Sequence, residues 1–287
     1  MKKSIENLRQ KIRAWLMREQ RARRRKLQVV RLEDRRLPDA SFGIVAGVLT
    51  LDGFGEAPAG GAPELTMNSG PDGLTFHLQN DVWDVSDLSG HSDFNLSSDR
   101  QTLTVLTATN PITGIQVLAT GSHPLASVGD GVYGVQVADL TIVNGGNVHL
   151  DSGFSDFDTV SIWADSFTLH DTDGVQIHGL ETTGAATIFA GGDITDTADA
   201  DGTAIEVGGH ANFHGTSITL GDHSLDETGF GSLTFIATDN VDITEDDSMT
   251  VIHDNSGHHV TLKSLDNFTL DGTLHSTSGR LVRSDSS

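Results

Sequence analysis

Residues 160–270 begin VSIWADSFTLH and return repeatedly to a short alternation of apolar residues with Thr, Ser, Asn or Asp. The leading triplets of this pattern are Val160-Ser161-Ile162, Ala186-Thr187-Ile188, Ala211-Asn212-Phe213, Leu233-Thr234-Phe235 and Val260-Thr261-Leu262. They recur about every 25 residues, a period typical of repeat architectures rather than of a single globular core. An earlier copy, Val135-Gln136-Val137, precedes Val160 by about one such period.

Each period contains two or three strands of three or four residues. Three periods contain a third strand, and these strands are Val175-Gln176-Ile177, Ile205-Glu206-Val207 and Met249-Thr250-Val251. Alternation turns one side of a strand inward and the other to water. Groups of up to three short strands form one turn of a parallel β-helix, whose coils pair about 4.8 Å apart. The sequence therefore predicts an all-β fold, a parallel β-helix (solenoid) of about six or more coils, preceded by a short basic α-helical leader.

Two phrases in the repeats resemble the coils of bacterial filamentous haemagglutinin-like adhesins. They are residues 188–194, Ile-Phe-Ala-Gly-Gly-Asp-Ile, and residues 235–243, Phe-Ile-Ala-Thr-Asp-Asn-Val-Asp-Ile. The resemblance covers residues 135–275. It lies in the general pattern of short strands and turns rather than in a specific signature motif. It implies a surface-exposed, right-handed β-helix with an adhesive role.

The net charge of −22 combines two opposite parts of the chain. Residues 1–36 hold 14 of the 18 Lys and Arg against four acids, which gives +10. Residues 37–287 hold four basic residues against 36 acids, which gives −32. This asymmetry predicts a basic leader joined to an acidic body. Because an acidic body repels phosphate backbones, we expect no nucleic-acid binding by residues 37–287.

The leader has the pattern of a basic amphipathic helix. Its apolar residues recur at helical spacing and are Ile5, Leu8, Ile12, Trp15 and Leu16. Such a helix binds an anionic membrane surface through apolar burial and attraction to head groups. Two alternatives stay open, a disordered soluble leader and nucleic-acid contact through Arg23-Arg24-Arg25.

A short motif follows the leader. Residues 32–38 read Leu-Glu-Asp-Arg-Arg-Leu-Pro. They resemble the Leu-Glu-Pro-Arg-x-Leu-Leu type motif that precedes repeat-rich β domains in large bacterial surface and extracellular proteins. Asp34 and Pro38 replace the Pro and the final Leu of that motif. The resemblance implies export and a secreted or cell-surface location.

Composition divides the chain into four predicted segments. These are a basic leader or export segment (1–40), an irregular β cap with the first coils (41–134), the β-helix repeats (135–275) and a disordered tail (276–287). A separate small β-sandwich is the alternative for residues 65–120. A cleaved signal sequence is the alternative for the apolar run at 42–49.

The last repeat, with strands at 260–262 and 268–270, is followed by no amphipathic cap. An uncovered coil edge readily pairs with another chain. We therefore expect self-association through the open C-terminal coil. The alternative is a truncated reading frame of a longer surface adhesin.

A calcium site is predicted at Asp196, Asp199 and Asp201. Residues 196–203, Asp-Thr-Ala-Asp-Ala-Asp-Gly-Thr, echo the Asp-x-Asp-x-Asp-Gly calcium loop. The match is imperfect because Thr197 stands in the first ligand position and no Glu stands in the twelfth. A solvated polar turn is the alternative. Residues 253–259 offer His and Asp donors for a transition metal, again with a polar turn as the alternative.

No pair of carboxylates stands out in the sequence as catalytic, and Cys is absent. A site for acidic sugars also needs Lys or Arg beside the acids, and residues 101–262 contain neither. The sequence therefore predicts a non-catalytic secreted or cell-surface structural or adhesion protein, with no cofactor besides the Ca²⁺ above. Its expected partners are host or environmental surface glycans or proteins. The alternative is a polysaccharide-active β-helix enzyme, a lyase or a hydrolase.

Overall fold

A computed structural model of the chain describes residues 40–54, 61–84, 92–107, 111–119, 125–197, 202–277 and 282–285. The predicted helical leader, the motif at 32–38 and half of the predicted tail lie outside these residues. The described part is all-β and forms one 23-stranded sheet wound into a parallel β-solenoid of about seven turns. The predicted fold class is confirmed. Within these described ranges, no helix is long and apolar enough to cross a membrane.

The strands follow one another closely along the chain. The N-terminal strands are β1 (Ser41–Val45), β2 (Val48–Asp52), β3 (Glu64–Gly70), β4 (Gly73–Gln79), β5 (Phe94–Leu96), β6 (Thr102–Val105), β7 (Gly114–Leu118) and β8 (Ser127–Asp130). The next strands are β9 (Asp139–Val143), β10 (Asn147–Ser155), β11 (Thr159–Ala164), β12 (Ser166–Asp171), β13 (Val175–Thr182), β14 (Ala186–Ala190), β15 (Ile194–Asp196) and β16 (Ala204–Gly215). The last are β17 (Ile218–Leu220), β18 (Glu227–Ala237), β19 (Val241–Glu245), β20 (Met249–Gly257), β21 (Val260–Ser264), β22 (Phe268–Ser276) and β23 (Val282–Asp285).

Antiparallel strands form a cap at the N-terminal end of the column. β1 pairs with β2, β3 pairs with β4, and β6 pairs with both β4 and β5. The fully buried Trp83 lies beneath these hairpins, with the rings of Phe42 and Phe54 centred 5.9 Å and 6.3 Å from its own. The cap joins the column through the parallel pairs β2–β7 and β3–β8.

Beyond the cap, strands of successive coils pair in parallel. One ladder runs through β8, β10, β12, β14, β16, β18, β20 and β22, and a second runs through β7, β9, β11 and β13. The second ladder divides at β13, where the register shifts between the pairs Val160–Ile177 and Ser161–Gly179. The first half of β13 then pairs with β15 and the second half with β16. The coil therefore gains a third face from β13 onward.

Coil length varies along the column. Phe167 pairs with Ala186, 19 residues later, whereas Ala186 pairs with Ala211, 25 residues later. The expected spacing of about 25 residues thus holds only for the longer coils. Additional residues are accommodated at the corners, so the paired strands keep their register.

The core is a continuous stack of inward apolar side chains. Phe213 and Phe235, both with no exposed surface, are register partners in adjacent coils. Phe157 and Phe167 are also buried. Phe154 lies outside the core, because 57% of its side chain is exposed.

The described end of the column is open. β22 pairs with β20 on one side, and none of the described strands pairs with its other side. Most of its residues are exposed, including Leu270 at 44%. β23 pairs in parallel with β21 on another face. The segment boundaries at residues 40, 134 and 275 stay predictions.

Candidate metal centre

A buried carboxylate occupies a core position in the coil that contains β15. The register pairs Ile177 with Asp196 on one side, and the next coils carry Leu220 paired with Ile243. Asp196 therefore occupies an inward-facing position of this ladder, where the corresponding residues of the neighbouring coils are Leu or Ile. It is only 6% exposed. It ends β15, at the corner where the chain leaves one face of the coil.

Two more acids come to this corner from the next coil. Asp222 follows the end of β17 and Asp226 precedes β18. One carboxylate oxygen from each of Asp196, Asp222 and Asp226 lies within 4.8 Å of the other two. We call these three residues the corner cluster. Asp226 is buried and Asp222 is exposed, so the cluster connects the interior with solvent.

Backbone amides hold two of the three carboxylates in place. The Gly221 amide donates to Oδ2 of Asp196 at 2.5 Å. The amides of Thr203 and His223 donate to Oδ1 and Oδ2 of Asp226 at 2.8 Å and 2.9 Å. The positions of Asp196 and Asp226 are therefore fixed by the corner itself.

No Lys or Arg lies near the corner cluster in the sequence, because residues 101–262 contain neither. Burial raises the pKa of Asp196 to about 6, and the charges of Asp226 and Asp222 act in the same direction. Like charges held together in a poorly solvated site favour either protonation or a bound cation.

Two polar atoms beside the corner cluster have no hydrogen-bond partner among the described residues. They are Oγ1 of Thr228 and Nδ1 of His223. Thr228 is only 1% exposed, and its hydroxyl faces Gly221, since a methyl group on Gly221 would lie 2.9 Å from Oγ1. Buried hydroxyl groups are normally hydrogen-bonded, so the hydroxyl group of Thr228 lacks a partner that such a group usually has.

A second acidic group forms one coil earlier from Asp156, Asp171 and Asp173. Its central residue is already satisfied, because Asp171 accepts the amides of Phe157 at 2.9 Å and Asp173 at 3.1 Å. Burial, followed by the charges of Asp156 and Asp173, raises the pKa of Asp171 to about 7. No unpartnered buried polar atom is found at this group within the described ranges. Asp171 holds the backbone at the corner, and nothing among the described residues of this group points to a ligand.

Of the three predicted calcium ligands, the structure describes only Asp196. Asp199 and Asp201 lie outside the described residues, and the loop site stays a prediction. Asp196 instead meets Asp222 and Asp226, whose alignment requires the pairing of β15 with β17. The matching triplets Ile194-Thr195-Asp196 and Ile218-Thr219-Leu220 carry the sequence signal for that pairing.

The predicted histidine site has a different arrangement. The rings of His258 and His259 pack edge to face with centroids 4.6 Å apart, and His253 packs against His210 at 5.8 Å. None of these residues joins a group of three potential ligands in the part of the chain that the structure describes.

An outer acidic row runs along one face of the column. Trp163 pairs with Glu181, Glu181 with Glu206, and Glu206 with Gly229. A methyl group on Gly229 would lie 3.0 Å from Oε2 of Glu206, so the missing side chain makes room for that carboxylate. Desolvation, then the charges of Asp247 and Glu227, raises the pKa of Glu206 to about 7. The sequence had not singled out Glu181 or Glu206, because only the register brings them together.

Searches against protein-family models, curated proteins and solved structures each return no match. The chain is therefore described by its fold, a parallel β-solenoid, which is compatible with either an adhesin or a polysaccharide-active enzyme.

Proposed function

We propose that this chain is a non-catalytic structural or adhesion protein of the cell surface or the extracellular medium. The observation that carries the proposal is the use of the buried acids. Asp171, Asp226 and Glu245 each accept backbone amides at corners of the coil. Acids used in this way position the chain, because they accept hydrogen bonds from its backbone amides.

A half-buried aromatic stripe on the outer side of the column supports an adhesive role. His170, Phe189 and His214 are successive register partners on three coils, followed by Ile236, which is 40% exposed. The ring centroids are 4.7 Å apart for His170–Phe189 and 4.5 Å apart for Phe189–His214. A row of ring faces and apolar side chains on a rigid column provides stacking contacts for an extended ligand such as a surface glycan or a protein segment.

Glycan-array binding by the full chain tests this role. We expect Phe189→Ala to reduce binding to any captured glycan by about tenfold, since an aromatic stacking contact contributes about 1–3 kcal/mol. The matched control is Phe154→Ala, which removes an exposed ring outside the stripe. Equal binding by wild type and Phe189→Ala, or equal loss in both variants, would contradict the proposed surface.

One side of β22 pairs with no described strand, which supports association with a second copy of the chain. The other end of the column carries antiparallel hairpins, which do not continue the parallel ladder. Pairing of β22 with β22 of a second copy is then isologous and closes as a dimer rather than a fibre. Light scattering should give twice the chain mass of 30.5 kDa. Leu270→Lys should restore the monomer, and a wild-type monomer at high concentration would refute this pairing.

The second candidate function is polysaccharide cleavage, and the outer acidic row favours it. Glu181 and Glu206 occupy adjacent coils beside Trp163, and two carboxylates at short separation are the usual requirement of a glycosidase. A depolymerisation screen with acidic and neutral glycans separates the two functions. Turnover that Glu206→Gln abolishes would overturn the non-catalytic proposal, and absence of turnover supports it.

The proposal also assigns a role to the basic leader. Attachment of residues 1–36 to an anionic membrane, and export of the acidic body, agree with the charge asymmetry of the sequence. Binding of the full chain to vesicles with and without anionic lipid tests the leader, and equal binding to both would contradict it.

A further inference from the structure

We propose that the corner cluster, completed by the hydroxyl group of Thr228, binds one Ca²⁺ ion. The site takes its ligands from two successive coils, Asp196 from one and Asp222, Asp226 and Thr228 from the next. It differs from the predicted calcium loop, whose ligands are consecutive in the sequence.

The donor atoms select the class of cation. The three atoms that lie within 4.8 Å of one another are all carboxylate oxygens. Ca²⁺ prefers oxygen ligands at about 2.3–2.6 Å, so oxygens on opposite sides of the ion are about 5 Å apart. Mg²⁺ requires about 2.0–2.1 Å and a nearly ideal octahedron. Acids on two separate turns are better suited to the flexible geometry of Ca²⁺ than to the nearly ideal octahedron of Mg²⁺.

Charge and burial point to a ligand as well. Asp196 and Asp226 are 6% and 7% exposed, and residues 101–262 supply no Lys or Arg to neutralise them. A divalent cation neutralises most of the charge of three carboxylates without requiring a basic side chain. A cation bound here needs no change in the surrounding coil.

The unpartnered hydroxyl group of Thr228 is the independent observation. Thr228 is 1% exposed, and its Oγ1 has no partner among the described residues. That oxygen faces Gly221, whose amide donates to Asp196 at 2.5 Å. It therefore lies beside the residue whose amide holds Asp196, and we place it as the fourth ligand of the bound cation. The Asp156–Asp171–Asp173 group lacks such an atom in the described part of the chain, and we assign no ion to it.

Calorimetric titration of the full chain with CaCl₂, after treatment with EDTA, tests the proposal. We expect one Ca²⁺ per chain and a higher Tm in the presence of Ca²⁺, because a ligand that binds only the folded state stabilises it. Asp222→Asn should weaken Ca²⁺ binding by about tenfold or more, since affinity depends on the number of charged ligands. Asp222 is exposed, so this variant should keep the Tm of the EDTA-treated wild type.

Three further variants locate the site. Thr228→Val removes the hydroxyl group and preserves the shape of the side chain, and should weaken Ca²⁺ binding while leaving the metal-free protein at least as stable. Asp173→Asn, from the other acidic group, should bind as the wild type does. The double variant Asp199→Asn/Asp201→Asn should also retain binding if the corner cluster is the site.

Several outcomes would overturn the proposal. One is the absence of binding up to about 10 mM, which is ten times the weakest affinity usual for extracellular calcium modules. Another is unchanged binding by both Asp222→Asn and Thr228→Val. A third is loss of binding in Asp173→Asn or in the double variant, with binding retained in Asp222→Asn.

Discussion

The amide of Phe230 donates a hydrogen bond of 2.9 Å to Oε1 of Glu245, a carboxyl group with no exposed surface. The second oxygen, Oε2, has no partner among the described residues. Burial, with the charges of Asp247 and Glu206 in the same direction, raises the pKa of Glu245 to about 8. This acid therefore stabilises the corner as a neutral group.

Glu245→Gln should make the protein less sensitive to alkaline pH. Because the folded-state pKa is above the unfolded value of 4.5, the stabilisation by Glu245 is complete below pH 4.5 and is lost as pH rises through about 8. Gln keeps the acceptor for Phe230 and never ionises. At one pKa unit per about 1.4 kcal/mol, the variant should be a few kcal/mol more stable than wild type at pH 9 and similar at pH 5.

Urea unfolding at several pH values measures this difference. Asp239→Asn, which replaces an exposed acid, is the control. A Glu245→Gln difference that does not change with pH would show that the carboxyl group is not neutral in the folded protein.

Asp171→Asn should respond differently, because Asp171 accepts two amides rather than one. Asn offers one side-chain oxygen, so one amide loses its partner at a cost of about 1–3 kcal/mol. This deficit should appear at pH 5 and shrink as pH rises through about 7, where the wild-type carboxyl group ionises and loses its own contribution. Chemical unfolding at both pH values checks the expectation, and a deficit that grows with pH would contradict it.

Substitution of two glycines with positive φ distinguishes the cost of steric overlap from the cost of backbone strain. Gly146 (φ +60) and Gly153 (φ +73) both adopt the left-handed conformation. A methyl group on Gly146 would lie 2.2 Å from the carbonyl oxygen of Leu125, whereas one on Gly153 would meet nothing within 4 Å. Gly153→Ala should cost about 1–2 kcal/mol from strain alone. Gly146→Ala should cost at least about 2 kcal/mol more in thermal unfolding, and equal costs would mean that the corner relaxes freely.

Aromatic truncation distinguishes the core from the surface. Phe235→Ala removes a ring with no exposed area and should cost about 3–5 kcal/mol of unfolding free energy. Phe154→Ala removes a ring that is 57% exposed and should change stability by less than about 0.5 kcal/mol. A comparable loss in both variants would argue against the assigned packing.

The sequence predicts the column because strand alternation is a local property. Residues such as Ile162 and Leu169 mark the inward side without knowledge of any distant contact, and both are fully buried. The division of β13 depends instead on a register shift after Val160–Ile177, which no local pattern displays. The lengths of the coils depend on such corners, and a local sequence pattern does not predict them either.

The candidate site was predictable only in part, for the same reason. Asp196 was singled out by its neighbours in the sequence, whereas its structural neighbours Asp222 and Asp226 come from the following coil. Burial also separated acids that look alike in the sequence, since Asp171 points inward while Asp173 is exposed. Turn composition identifies such acids as polar and does not reveal which oxygen meets which amide.

The junction between the N-terminal cap and the first coil closes a longer stretch of chain than the later coils do. Thr113 and Gly47 are hydrogen-bonded across a separation of 66, whereas bonds between later coils span separations such as 19 or 25. The entropic cost of closing a loop grows with its length, so each later coil is ordered at a lower cost than this junction. Because each coil of a stacked repeat contacts only its neighbours, an interrupted coil removes the pairing partner of the coils on both sides.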